Sequence, residues 1–204
     1  MDKDIELSSL PTHQVDVEKG RILLSSTNKY VTRKLTIIMI IEIFISVYIY
    51  INYDSLLDIN LLLAPSLLGA LTAALAQTFN QFVKNTYSFE KIIKFIVWGV
   101  INGLLTAMWI DIIMSIDDFY LRVFIDQSIG APGFQLIFTI LNSLWDNGNL
   151  NKSTINAFFK SLKYSYCYWP FVSILVFGFL PLDTIFPCNC AAALIWNIIL
   201  SRLA

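Results

Sequence analysis

The sequence predicts an all-α fold, an integral membrane helical bundle of five to six apolar helices. Three observations predict it. The 204-residue chain is 56% hydrophobic and only 14% charged, whereas an ordinary soluble domain is nearer a quarter charged. Its mean hydropathy is +0.65, and one domain of this size cannot hide so much apolar surface, so the excess faces lipid. The apolar residues also gather into near-membrane-length segments parted by short polar stretches.

The same composition excludes several classes. A net charge of −1 with no basic stripe interleaved with aromatics argues against a nucleic-acid partner. The lipid bilayer is the partner the composition calls for. Three cysteines (Cys167, Cys188, Cys190) make no even disulfide framework, and the single histidine, His13, is too remote to complete a metal site with Cys188 and Cys190. These thiols read as packing residues, and no cofactor or metal is expected.

Taken in order, residues 1–34 are a polar tail and residues 35–204 the bundle. The tail mixes acids with bases, unlike a mitochondrial presequence, and lacks the early apolar core of a secretory signal. Within it, Glu18 to Leu23 loosely resembles an acidic dileucine sorting signal for the vacuole or lysosome; the plainer reading is a solvated tail.

Leu35 to Tyr53 forms the first span, long enough at about 1.5 Å per residue to cross roughly 30 Å of hydrocarbon. Glu42 lies inside it, at a cost of several kcal/mol unless it is protonated, paired or turned into the bundle. Asp54 to Asn60 reads as a polar turn. The second helix covers about Ile59 to Val83, with Pro65 near its start, where a missing N–H does least harm. Ala70, Ala73, Ala74, Gln77 and Gln81 share one face of it, a seam on which backbones approach closely and amides bond across.

Lys84 to Lys94 reads as a loop. The third helix covers about Phe95 to Ile116, with Gly99 and Gly103 in GxxxG spacing and Asn102 and Thr106 beside them. Asp111, Asp117 and Asp118 mark its acidic exit. The fourth segment, about Val123 to Trp145, opens with Asp126-Gln127 and carries Gly130-Ala131-Pro132-Gly133, which implies a kinked or partly unwound start. Arg122 and Asp126 stand four apart, the spacing of a helical ion pair. Asp146 to Lys163 reads as a polar loop. Two closing helices, about Tyr164 to Leu180 and Thr184 to Leu200, are slightly short, which allows tilt, local thinning or a re-entrant arrangement.

Basic residues set the orientation. Lys29, Arg33 and Lys34 precede the first helix, Lys84, Lys91 and Lys94 follow the second, and Lys152, Lys160 and Lys163 follow the fourth. The turns between carry only Arg122. Both termini therefore face the cytosol or a mitochondrial matrix, and the sequon Asn151-Lys152-Ser153 lies away from any lumen.

The C-terminal residues resemble the Mpv-seventeen/PMP-twenty-two family of small mitochondrial and peroxisomal membrane proteins. Trp169-Pro170, Phe177, Pro181, Trp196 and Leu200-Ser201 stand at that family's mutual spacing. Asp126-Gln127 followed by Ala131-Pro132 matches its Asp-Gln…Ala-Pro signature, and Gly103 and Trp109 match the ends of its Gly-Pro…Trp-Tyr helix. Gly69, Leu71 and Gln81 fit its first helix. The match covers about residues 60–204, so the first span and the tail look like an N-terminal addition. Several polar family positions differ: its Gly-Asp is Leu75-Ala76, its Gln is Ser173, its Asn is Val176 and its Arg is Ile185. The resemblance implies a small helical bundle in an organelle membrane, acting as a weakly selective channel or a modulator of metabolite and ion balance.

Three functions are compared. A passive pore for small solutes is motivated by polar residues within the spans: Glu42, Gln77, Asn102, Asp126, Gln127 and Asn189. On that reading Asp126 is the charge at a mouth and Gln127 its hydrogen-bonding neighbour. Trp169 anchors at an interface, and Pro170 and Pro181 set helix ends. The alternative is a non-conducting adaptor or scaffold, whose small-residue seams bind a second copy or another membrane protein. An intramembrane enzyme would need a second carboxylate facing Asp126, such as Asp111, and no catalytic or phosphate-binding motif is present, so no catalytic residue is assigned. The family resemblance points to the mitochondrial inner membrane or the peroxisome, and the acidic tail to the vacuole.

Overall fold

A computed structural model describes the backbone of residues 12–203 and the side-chain surroundings of residues 28–199. The side chains of His13, of the dileucine-like stretch and of Leu200-Ser201 lie outside the described residues. Every regular element described is helical: α1 Thr12–Ile51, α2 Tyr53–Ile59, α3 Leu63–Lys84, α4 Phe89–Met114, α5 Phe119–Ile125, a π-helical turn Asp126–Gly130, α6 Ala131–Asn147, α7 Lys152–Phe179 and α8 Leu182–Leu203. The polar residues from Thr12 onward are thus continuous with the first span.

Four stretches are long and apolar enough to cross a membrane on their own: Asn28–Ile51, Phe89–Met114, Phe119–Asn147 and Leu182–Ile199. Helices α3 and α7 run alongside them with polar faces turned inward. Helix α3 packs against α1, α4 and α8 and buries Gln77, Thr78, Asn80 and Gln81. Helix α7 buries Thr154, Ser161, Ser165 and Ser173 while exposing Ile155, Phe159, Phe171, Leu175 and Phe179. Helix α6 buries Ala131, Gln135, Thr139 and Ser143, one residue per turn. Apolar side chains face outward and amides and hydroxyls inward, the distribution a lipid solvent selects.

The closest helix contact is the α3–α4 seam, and glycine makes it. A Cβ on Gly103 would collide with the Pro65 carbonyl oxygen and lie 3.3 Å from the Cα of Gly69. A Cβ on Gly99 would lie 2.7 Å from the Cα of Ala70 and 2.8 Å from the Cβ of Ala73. The GxxxG spacing thus packs α4 directly onto the small-residue face of α3.

Several sequence boundaries move. The turn expected at 54–60 is helix α2, with Asp54 in its first turn, where a carboxylate is favoured by the positive end of the helix dipole. The loop expected at 84–94 contracts to residues 85–88. Asn85 ends α3 with a left-handed φ of 51°, and Ser88 caps α4 by accepting from the Lys91 N–H. Gln81 clamps that loop, accepting from the Ser88 N–H at 2.8 Å and donating to its carbonyl at 2.9 Å. The loop expected at 146–163 is mostly helix as well. Gly148 (φ 67°) ends α6, and Asn151 opens α7 through a capping box with Thr154. Both segments carry a short apolar period (Ile155, Phe158, Phe159 and Leu162 in the second), which together with their caps specifies helix; their lysines, serines and asparagines make them read as loop.

Three segments meet at one end. Thr32 Oγ1 donates to Asn85 Oδ1 at 3.2 Å, Lys34 Nζ lies 3.8 Å over the Tyr87 ring, and Lys94 bridges to Asp146 at 2.7 Å. The start of the first span, the α3–α4 loop and the end of α6 therefore share the lysine-bearing face. The other end holds an apolar cluster of Ile49, Leu68, Ile110, Val176, Ile185, Phe186 and Cys190, with Tyr53 stacked on Phe186 at 5.8 Å.

Candidate functional site

A cavity of 70 Å³ lies inside the bundle, between α4, the π-helical turn, α6, α7 and α8. Water needs roughly 10–15 Å³ of such space, so there is room for several molecules. Helix α4 lines it with Trp98, Asn102, Thr106 and Trp109, spaced to share one helical face. Helix α6 contributes Phe134, Gln135 and Phe138, α7 contributes Trp169 and Ser173, and α8 contributes Asn189, Trp196 and Asn197. Among the described residues, Asp126 is the lining residue with a carboxyl group.

Three donors converge on Asp126. Trp109 Nε1 donates to Oδ1 at 2.7 Å, Gln127 Nε2 donates to Oδ2 at 2.9 Å, and Ser173 Oγ donates to Oδ2 at 2.5 Å. Gln127 Nε2 also lies 2.8 Å from Ser173 Oγ. The π-helical turn provides the position. Pro132 has no N–H and its ring crowds the carbonyl four residues back; the widened turn relieves this, with the Ala131 N–H donating to the Asp126 carbonyl. Such bulges recur at functional sites. Gly130 ends the turn under the Trp109 indole, where a Cβ would lie 2.8 Å from Nε1 and 2.9 Å from Asp126 Oδ1.

Next to this cavity, toward the lysine-bearing end, is a vestibule of 570 Å³. Gln77, Asn80, Thr139, Asn142 and Ser161 line its walls, with Lys84, Lys91, Lys94, Lys160 and Asp146. Phe138 lines both compartments. Its ring sits 5.0 Å from Trp98 and 6.5 Å from Phe95, centroid to centroid. On the same helix, Gln135 is 4% exposed, lines the inner cavity, and leaves its Oε1 without a hydrogen-bond partner. A buried amide oxygen in that state is open to water or solute.

The residues singled out from sequence fall in six places. Asn102, Asp126, Asn189, Trp109, Trp169 and Trp196 line the inner cavity, and Gln127 bonds to Asp126 behind it. Gln77 lines the vestibule. Gly103 sits in the α3–α4 seam, Pro132 in the first turn of α6, and Pro181 between α7 and α8. Glu42 lies apart, at the α1–α3 interface. Its Oε1 accepts from Thr78 Oγ1 at 3.0 Å, and its Oε2 has no partner.

The structure corrects the placement of Arg122, Pro170 and Asp111. Arg122 does not pair with Asp126; its guanidinium donates to the Ile116 carbonyl at 2.6 Å, while Trp109 and Ser173 occupy the carboxyl. Trp169 lines the cavity in an aromatic group with Tyr168 and Trp196. Pro170 lies inside α7 rather than at its end. Asp111 is exposed and outside the cavity lining, so it does not face Asp126.

Sequence reasoning missed Gln135, Thr139 and Ser143 on α6 and Ser161, Ser165 and Ser173 on α7. The signal was present. Each set recurs at intervals of four or eight residues, and the two faces meet where Ser143 and Thr154 hydroxyls bond at 2.6 Å.

The model of the Mpv17 / PMP22 family matches residues 149–201. The chain is 26% identical over 152 residues to PXMP2/4 family protein 3 of Dictyostelium discoideum, covering 70% of this chain and 81% of that protein. It is 26% identical over 125 residues to Protein sym1 of Schizosaccharomyces pombe, covering 56% of this chain and 60% of that protein. No solved structure matches the chain.

Proposed function

The chain belongs to the Mpv17 / PMP22 family through its C-terminal region, residues 149–201, and from that premise we propose that it is a weakly selective channel for small solutes in an organelle membrane. One observation carries the reading: two compartments, one of 570 Å³ and one of 70 Å³, share one lining residue among those described, Phe138. Their walls supply amides and hydroxyls that replace the hydration of a passing solute, and Asp126, fixed by three donors, gives the inner compartment a set geometry. Phe138 is the constriction, a ring whose rotation joins the two. The mitochondrial inner membrane and the peroxisome fit the family resemblance, with the vacuole second.

The test is reconstitution of the full chain into planar bilayers. Discrete conductance steps are expected, and Gln135→Leu, which removes the unpartnered amide from the narrow region, should lower their size. A membrane as tight as a protein-free one overturns the reading.

A non-conducting adaptor has one observation in its favour. A groove of 260 Å³ between α4 and α6 is lined by Leu105, Met108, Ile112, Ile129, Gly133 and Ile137 among others. A Cβ on Gly133 would meet nothing within 4 Å, as expected where a second helix from another copy or another membrane protein packs. Crosslinking through Gly133→Cys should then trap a stoichiometric partner, and its failure removes this reading.

A further inference from the structure

We propose that the inner cavity binds a small organic cation carrying N–H groups, of the alkylammonium class. This deepens the channel reading and rests on it for the ion's passage, while the binding is read by itself. Three features point to a cation. The first is charge: Asp126 lines the cavity, and among the described residues no Lys, Arg or His lines it. Donors from Trp109, Gln127 and Ser173 reach its carboxylate, one on Oδ1 and two on Oδ2. A carboxylate has about four lone-pair sites, so Oδ1 keeps one for a further donor. An ammonium ion would also neutralise a charge held inside the bundle, where it is costly alone.

The second feature is an orphaned acceptor. Gln135 is 4% exposed, lines the same cavity and has no partner for Oε1. Asp126 and Gln135 thus offer acceptors to one enclosed space, and an N–H-bearing ligand satisfies both. Water would satisfy them too, but the third feature favours a cation. Trp98, Trp109, Trp169 and Trp196 line the cavity together with three phenylalanines, and aromatic faces attract a desolvated cation. At 70 Å³, several times the roughly 10–15 Å³ that one water requires, the space suits an ion of a few heavy atoms.

Tryptophan emission reads the site. The chain has five tryptophans, and Trp145 is the one outside this lining. In detergent, the full chain with Trp145→Phe therefore reports the cavity. Ethylammonium chloride should change the emission saturably, at about millimolar concentration for a ligand so small, and should raise the unfolding temperature. The uncharged 1-propanol, of similar size, and sodium chloride at equal ionic strength should do neither. Gln135→Leu removes the orphaned acceptor and should weaken binding about tenfold or more. Gln135→Glu adds a second carboxylate and should tighten it, whereas a merely perturbed fold would weaken both. A response to 1-propanol or sodium chloride equal to that for ethylammonium overturns the proposal. So does binding by Gln135→Leu equal to that of its parent.

Conduction is measured separately in planar bilayers. Bilayers that conduct while ethylammonium leaves the emission unchanged overturn the ammonium site and leave the channel intact. If bilayers stay tight but the saturable, variant-sensitive response appears, the channel reading fails and the cavity stands as a binding site alone. If neither conduction nor response appears, both fail.

Discussion

The indole N–H of Trp109 ends on the carboxyl of Asp126 at 2.7 Å, joining two residues that lie 17 positions apart in the chain and on different helices. Gly130 makes room for that contact, since a Cβ there would sit 2.8 Å from the indole nitrogen. Gly130→Ala should therefore break the bond without removing either partner. We expect a loss of about 1–3 kcal/mol, the cost of a buried polar group left unpaired, together with altered tryptophan emission. Thermal unfolding and fluorescence in detergent check it.

Asp126→Asn tests the chemistry of the same contact. Three donors point at the two carboxyl oxygens, and an amide replaces one acceptor oxygen with a fourth donor. A destabilisation of about 1–3 kcal/mol follows. Trp109→Phe should add little to it, because both variants remove the same hydrogen bond. A double-mutant cycle reads this directly, and full additivity would separate the two residues.

The glycines provide a matched pair. Gly103→Ala drives a methyl into the Pro65 carbonyl and should cost about 1–3 kcal/mol by overpacking. Gly133→Ala meets open space and should gain about 0.5–1 kcal/mol through helix propensity. Unfolding temperatures of the two variants should move in opposite directions.

Lys94 and Asp146 form the ion pair at the vestibule rim, with Asp146 48% exposed. Asp146→Asn should change stability by under about 1 kcal/mol, as for other solvent-screened pairs. Thermal unfolding in detergent checks it.

Orientation is open to chemistry. Lys91→Cys and Asp117→Cys place thiols on the basic and acidic ends, and a membrane-impermeant maleimide should label them from opposite sides. The basic end should face the cytosol or matrix, leaving Asn151 without glycan.

Much of the fold was legible because lipid imposes simple rules. Long apolar windows gave α1, α4, the α5–α6 segment and α8, and glycine spacing gave the α3–α4 seam. Helix α7 reads short from sequence because the lysines and hydroxyl residues of 152–163 resemble a polar loop, yet Ile155, Phe158, Phe159 and Leu162 keep a helical period and Asn151 and Thr154 specify its start through a capping box. The site was half legible. Asp126, Gln127 and Asn102 stood out as polar groups in apolar surroundings, whereas Gln135 and Ser173 take their meaning from a neighbouring helix. Glu42 has the same isolated look but belongs to a pairing with Thr78 at the far side of α3. Spacing along one helix cannot separate a lining group from a packing group until the facing helix is known.

The most direct test of the channel is the swelling of liposomes carrying the full chain in isosmotic erythritol. Phe138 lines both compartments, and on the proposed reading it is the constriction between them, so wild type should swell faster than empty liposomes, Phe138→Ala faster still, and Phe138→Trp more slowly than wild type. Swelling of wild type and Phe138→Ala at the rate of empty liposomes would contradict the account.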